Sequence, residues 1–112
     1  MSESHSKEIR SKVTSEGNIE LSITQAELPI PSADEVLIKV EAAPINPSDL
    51  GLLLSFAADL SSISTSGSKD ETVTSMKIHP ALMGSMKPRL NQSMQAGNEG
   101  AGIIIDAGEN AK

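Results

Sequence analysis

Apolar and polar positions alternate twice near the start of the chain. Ile9, Ser11 and Val13 alternate with charged residues. After the turn signal Ser15-Glu16-Gly17-Asn18, residues Ile19, Leu21 and Ile23 alternate again. A period of two on both sides of a glycine turn predicts a β-hairpin. Leu28-Pro29-Ile30-Pro31 lacks two ladder donors and reads as an extended connector. From Glu35 the alternation returns, with Val36, Ile38 and Val40 on one face, and predicts a strand running on through Ala42.

The period then changes. Asn46-Pro47-Ser48-Asp49 is a helix start: Asn46 can cap, proline suits the first helical position, and Asp49 favours the positive end of the helix dipole. Leu50, Leu53, Leu54, Ala57 and Ala58 recur at helical spacing and extend the expected helix to near Leu60. Residues 61–75 are rich in Ser and Thr, and their poor apolar content predicts a long polar surface loop. Between 76 and 96 the apolar positions are broken by Pro80, Gly84 and Pro88, leaving room for a short helical turn over 81–86. Gly102 to Ala107 reads as a buried strand, closed by a turn at Gly108-Glu109-Asn110. Residues 1–7 are polar and predict a disordered lead-in. The chain shows no internal repeat.

A length of 112 residues suits one small domain. With one Phe and neither Trp nor Tyr, its core must be aliphatic. The five Met residues then serve as gap-fillers. Such a core predicts either a loosely stabilised domain or one that leans on a partner surface. A net charge of -6 argues against nucleic acid and against an anionic membrane surface as partners. Lys7, Arg10 and Lys12 fall at strand spacing and read as a solvated face. No apolar run approaches the roughly 20 residues of a membrane span. The first seven residues carry no apolar signal-peptide core. The absence of cysteine removes disulfides, thiolate chemistry and cysteine-based zinc sites from these residues, and fits a cytoplasmic setting. His5 and His79 have no second ligand at metal spacing.

Two segments carry the candidate chemistry. One is the strand-to-helix run from Val36 to Leu50, with Asn46-Pro47-Ser48-Asp49 at its turn. The other is Gly97-Asn98-Glu99-Gly100-Ala101-Gly102, leading into Ile103-Ile104-Ile105. In this order they resemble the N-terminal, GroES-like domain of the medium-chain dehydrogenase/reductase superfamily. The Asn-Pro-Ser-Asp form is similar to its zinc-independent NADPH:quinone oxidoreductase branch. The resemblance covers roughly residues 8–60 and 95–112. The segment between is longer and more polar than is usual in that family.

The resemblance implies a mainly β fold with short helices: a partial GroES-like β-barrel over residues 8–112, truncated before the Rossmann domain. It implies a part of a larger NAD(P)H-dependent oxidoreductase, with NADP(H) or NAD(H) bound by a half that these residues do not contain. The expected substrate is a small-molecule carbonyl or quinone, and the expected assembly is a homo-oligomer. In zinc-dependent relatives a Cys stands at the position of Asn46 and a His at that of Asn98. Two amides are poor zinc ligands, so no metal is expected here. Asn46 then caps its helix and, in the resembling branch, lies beside the nicotinamide and substrate, where its carboxamide can donate to a carbonyl oxygen. Ser48 matches a proton-relay position, although a hydroxyl at a helix N-terminus also satisfies backbone N–H groups. Asn98 and Glu99 are placed on the nicotinamide side. Glu99 either orients Asn46 or Asn98 or faces solvent from its turn. Gly97, Gly100 and Gly102 allow a tight backbone, but an apolar strand follows, so they form no dinucleotide fingerprint. The reading from another class is a stand-alone GroES-like binding or oligomerisation module without catalysis. A third is an inactive remnant.

Overall fold

The computed structural model describes residues 5–55 and 58–112. Strands β1 (His5–Val13) and β2 (Asn18–Glu27) form the expected hairpin, in register from His5 opposite Glu27 to Val13 opposite Ile19. Gly17 turns the chain with φ 90°. Thr14 closes the turn: its N–H donates to the Asn18 carbonyl at 2.8 Å, and its hydroxyl accepts from the Asn18 N–H at 3.2 Å. β3 spans Val36–Ala42, α1 Pro47–Leu53, β4 Ala58–Ser66, β5 Val73–Ile78, β6 Met94–Gln95 and β7 Ala101–Ala107. Five strands make one antiparallel sheet in the order β4-β5-β2-β1-β6, while β3 and β7 make a separate two-stranded ribbon. Mainly β with short helices is therefore the architecture, but the two sheets do not close into a barrel.

The core is small and lies on one face of the large sheet. Val13 pairs with Ile19, and Ile19 pairs with Met76, so three buried side chains form a row across β1, β2 and β5. Ile78 joins this row in the buried cluster. Leu54 after α1, together with Met83, Met86 and Leu90 from the 3-10 segment Pro80–Arg89, packs over it. The flexible thioethers fill space that an aromatic ring would otherwise occupy. The short helical turn expected over 81–86 lies within this longer 3-10 segment.

Four sequence expectations are corrected. Residues 5–7 of the expected lead-in belong to β1: Lys7 pairs with Gln25, and its ammonium lies 3.1 Å from the Asp70 carboxylate. Met1 to Glu3 and Ser4 lie outside the described residues. The helix stops at Leu53 rather than near Leu60. Leu54 is its C-cap, and Ser55 takes φ 60°, which breaks the helical path. Ala57, one of the helical positions, lies outside the described residues, and Ala58 begins β4.

The polar stretch 61–75 is not a loop but most of a β4–β5 hairpin, turned at Gly67 with φ 77°. Its hydroxyls supply hydrogen bonds that a loop would leave to water. Ser61 donates through N–H and Oγ to Asp59 Oδ1 at 3.0 and 2.6 Å. Ser62 Oγ accepts from the Lys77 N–H at 2.7 Å, and Thr65 bonds Thr74 at 3.1 Å. The last strand is also not buried. β7 pairs with β3, but among the described residues no layer covers the ribbon, and Ile103, Ile104 and Ile105 stay half-exposed.

The ribbon is fastened at one end by backbone bonds. Gly108 N–H donates to the Glu35 carbonyl and Asn110 N–H to the Ala33 carbonyl, at 2.8 and 2.7 Å. A Cβ at Gly108 would collide with the Ser32 carbonyl oxygen, so this crossing requires glycine. Glu35 accepts from the Ser32 N–H at 2.8 Å. That backbone bond, with the Ser32 hydroxyl second, holds the Glu35 carboxyl below its ordinary value of 4.5.

Two outcomes follow for stability. Ile19→Ala opens the centre of the core formed by the described residues and should cost about 2–5 kcal/mol, read as a lower urea midpoint. Ile30→Ala, at a site 91% exposed, should leave that midpoint in place. The Glu35–Ser32 bond contributes stability above pH 4.5 and loses it as pH falls through the lowered folded value. Following the Ser32 amide by NMR should give a midpoint below 4.5, and Glu35→Gln should abolish that titration.

Candidate functional site

Antiparallel pairing of Ala42 with Ala101 makes the segments 43–46 and 97–100 leave the ribbon at the same end. Both then cross to the large sheet. The first enters α1, whose Leu52 carbonyl accepts from Ser11 Oγ on β1 at 3.0 Å. The second leads back to β6, which pairs with β1 through Ser11 and Arg10. Gly97, with φ 96°, provides the bend that this crossing demands. A second glycine constraint lies inside the ribbon, where a Cβ at Gly102 would meet the Lys39 backbone.

Asn46, Ser48, Asn98 and Glu99 meet at this junction. Asn46 Nδ2 donates to Glu99 Oε2 at 2.9 Å and to Asn98 Oδ1 at 3.3 Å. Asn98 Nδ2 donates to Ser48 Oγ at 3.4 Å. Asn46 also caps α1, with extended φ and ψ, and its own N–H donates to the Asp49 carboxylate at 2.8 Å. The cap and the side-chain cluster therefore share one residue without competition, because the backbone of Asn46 meets Asp49 while its amide nitrogen faces β7.

Direction matters in this chain of donors. Both amide protons of Asn46 are committed, so its Nδ2 is not free to donate to a substrate oxygen in this arrangement. Ser48 accepts from Asn98 and keeps its own hydroxyl proton for an outside acceptor. The terminal donor is thus Ser48, while Glu99 orients Asn46 from the other end. Asn98 and Glu99 are exposed and Asn46 is half-buried, so the cluster opens to solvent. Beside it, Pro47, Leu50, Gly51, Leu54 and Ser55 line a cavity of about 310 Å³ along α1.

α1 is also fastened at its far end. Arg89 Nη2 donates to Ser11 Oγ at 3.0 Å and to the Leu52 carbonyl at 3.2 Å. A cation at the C-terminal carbonyls suits the helix dipole. Burial pushes the Arg89 guanidinium pKa down, and among the described residues its buried Nε has no hydrogen-bond partner. Sequence reading missed Arg89 and Ser11. The only trace of them was a polar residue on the inward face of β1, between Ile9 and Val13.

A larger hollow, about 530 Å³, lies at the hairpin turn and includes Asp59, Lys77 and His79 in its lining. Its carboxylate is already occupied by the two Ser61 donors, which hold Asp59 below its ordinary 3.8, with His79 and Lys77 adding to this. Among the described residues no three His, Cys, Asp or Glu side chains gather as a metal site. No helix among them is long and apolar enough to cross a membrane.

Neither a scan against models of known protein families nor a search of curated proteins finds a match for this chain. The local chemistry must therefore carry the functional reading. The cluster offers a hydroxyl donor backed by amides and a carboxylate, which suits a carbonyl oxygen. It does not offer a pyrophosphate cradle, because Gly97–Gly102 runs into strand β7 rather than into a helix.

Arg89→Met should remove both bonds at the end of α1 and lower stability by about 1–3 kcal/mol in urea unfolding. Backbone amides of α1 should then exchange faster than those of the β1–β2 hairpin.

Proposed function

We propose that this chain is the substrate-side part of a zinc-independent, NAD(P)H-dependent reductase of medium-chain dehydrogenase/reductase type, acting on quinones or activated enones. The observation that carries the reading is the convergence of Asn46, Ser48, Asn98 and Glu99. Two motifs about fifty residues apart, each weak alone, supply one hydrogen-bonded cluster at a sheet junction. The positions where zinc-dependent relatives carry Cys and His, Asn46 and Asn98, stand 3.3 Å apart.

The chemistry follows from the donor order. A nicotinamide, if bound by a dinucleotide-binding domain joined to these residues, would supply the hydride for the conjugated carbon of the substrate. As that bond forms, the carbonyl π electrons move to oxygen. Ser48 Oγ–H donates to the developing oxyanion, and Asn98 supports it by donating into Ser48 Oγ. Glu99 fixes the Asn46 amide, and Asn46 in turn presents its proton to Asn98, so each amide is held in one orientation. A proton delivered from solvent through Ser48 to that oxygen gives the enol, which tautomerises to the saturated ketone, or, from a quinone, the hydroquinone. The apolar cavity beside Pro47 and Leu50 supports the ring of such a substrate.

A non-catalytic binding or oligomerisation module is the second reading, and the uncovered apolar ribbon favours it. The two are separated by quinone-dependent NADPH oxidation, measured in metal-free buffer on the polypeptide that joins these residues to a dinucleotide-binding domain. Turnover should survive chelation. Ser48→Ala should lower kcat about 100-fold, at the lower end for losing one oxyanion donor, with the fold intact by circular dichroism. Loss of turnover on chelation would sink the metal-free reading. Absence of turnover with both quinones and enones would sink the reductase reading.

A further inference from the structure

The hollow of about 530 Å³ at the β1–β2 turn gathers charges of both signs, and the sheet register places them. Lys77 on β5 lies between Asn18 on β2 and Asp59 on β4, directly opposite each. Facing residues share one side of a sheet, so these three make a polar row. The neighbouring pair of Ile19 and Met76 is turned into the core, which puts the polar row on the other side. The alternation runs on past the strand: Met76 and Ile78 are buried, whereas Lys77 and His79 are exposed. The Ile78 N–H donates to the Gly17 carbonyl at 2.8 Å and holds the turn that carries Glu16 against this end of β5.

These groups are not spent on one another. Asp59 accepts both Ser61 bonds through Oδ1, so its Oδ2 keeps room for a further donor. The Ser61 bonds hold its carboxyl below the ordinary 3.8, with His79 and Lys77 adding to this, so Asp59 is an anion at neutral pH. Yet among the described residues neither the Lys77 ammonium nor the His79 ring closes an ion pair or a hydrogen bond. Pro80 and Met83 add apolar surface to the same lining.

We propose that this hollow binds a small zwitterion with an apolar side group, of the class of a free aliphatic amino acid. Lys77 and His79 donate to its carboxylate, Asp59 Oδ2 and Glu16 accept from its ammonium, and Pro80 and Met83 meet its side group. Charge balance favours this class over a simple anion or cation. A lone carboxylate would leave Asp59 and Glu16 unanswered, and a lone ammonium would face Lys77. The volume lies within the usual range of small-ligand sites. No lining residue belongs to the cluster of Asn46, Ser48, Asn98 and Glu99, so the proposal stands apart from the reductase reading.

The test is an amide NMR titration of the full 112-residue chain at low ionic strength. L-leucine should shift the amides of Glu16, Gly17, Asn18, Asp59, Lys77 and His79 saturably, with a dissociation constant of roughly 1–10 mM. Isocaproate lacks the ammonium and isopentylamine lacks the carboxylate, and each should bind about 5-fold more weakly than leucine. Lys77→Met should weaken leucine and isocaproate about 5-fold and leave isopentylamine unchanged. Asp59→Asn should do the converse, weakening leucine and isopentylamine only. Lys77 is exposed, so circular dichroism of its variant should match the parent. Should Asp59→Asn disturb the Ser61 bonds and the fold, Glu16→Gln at the exposed turn gives the same discrimination. The proposal is overturned if leucine gives no saturable shift at the hollow, or if either single-charge probe binds as tightly as leucine. Equal weakening of both probes by Lys77→Met also overturns it.

Discussion

Val13, Ile19 and Met76 lie side by side across three neighbouring strands, and the rest of the molecule is arranged around that row. With so few large side chains available, the hydrophobic stabilisation concentrates at the row where β1, β2 and β5 pair through these residues. Burying three aliphatic side chains is worth about 1.5–3 kcal/mol each, comparable to the whole margin of a small domain. The row also sets where everything else attaches. Leu54 and the methionines of the 3-10 segment reach over it, which draws the end of α1 down onto the sheet.

That placement of α1 links the core to the candidate site. Ser11 sits on the same inward face as Val13, and its hydroxyl, with Arg89, takes up the Leu52 carbonyl that the end of a helix leaves unsatisfied. One end of a seven-residue helix is thus pinned to the large sheet, while the other end carries Asn46 and Ser48 against the β7 loop. A helix this short has little stability of its own. Its position is imposed by tertiary contacts, and the geometry of the amide cluster depends on them.

Much of the local structure was legible from residues 9–23 and 36–50. Alternation around Gly17 specified the hairpin, and Asn-Pro-Ser-Asp specified a helix start, because both signals act over a few residues and need no distant partner. The errors have a common cause. Composition makes residues 61–75 a loop, yet pairing with β5 gives Ser62 a backbone partner that composition cannot reveal. Helical spacing continues through Ala58, but Ser55 takes φ 60° and Ala58 pairs with Ile78 in β4, so the helix ends earlier. β7 was read as buried because three consecutive isoleucines usually are. Their exposure depends on what lies above the ribbon.

The amino-acid sequence by itself determined the hairpin, the strand before Asn46, the helix cap and the identity of four polar residues with a shared chemistry. Each rests on local backbone preference or on side-chain type, and both are properties of short segments. Tertiary structure alone decided that these four residues touch, and that Ser48 rather than Asn46 is the terminal donor. It decided equally that Arg89 anchors the helix and that an apolar ribbon stands uncovered. Those outcomes depend on the register that sets Ala42 opposite Ala101 and on the single face onto which the small core collapses. Register and packing join residues far apart in the chain, and no local pattern encodes how such distant segments share one volume.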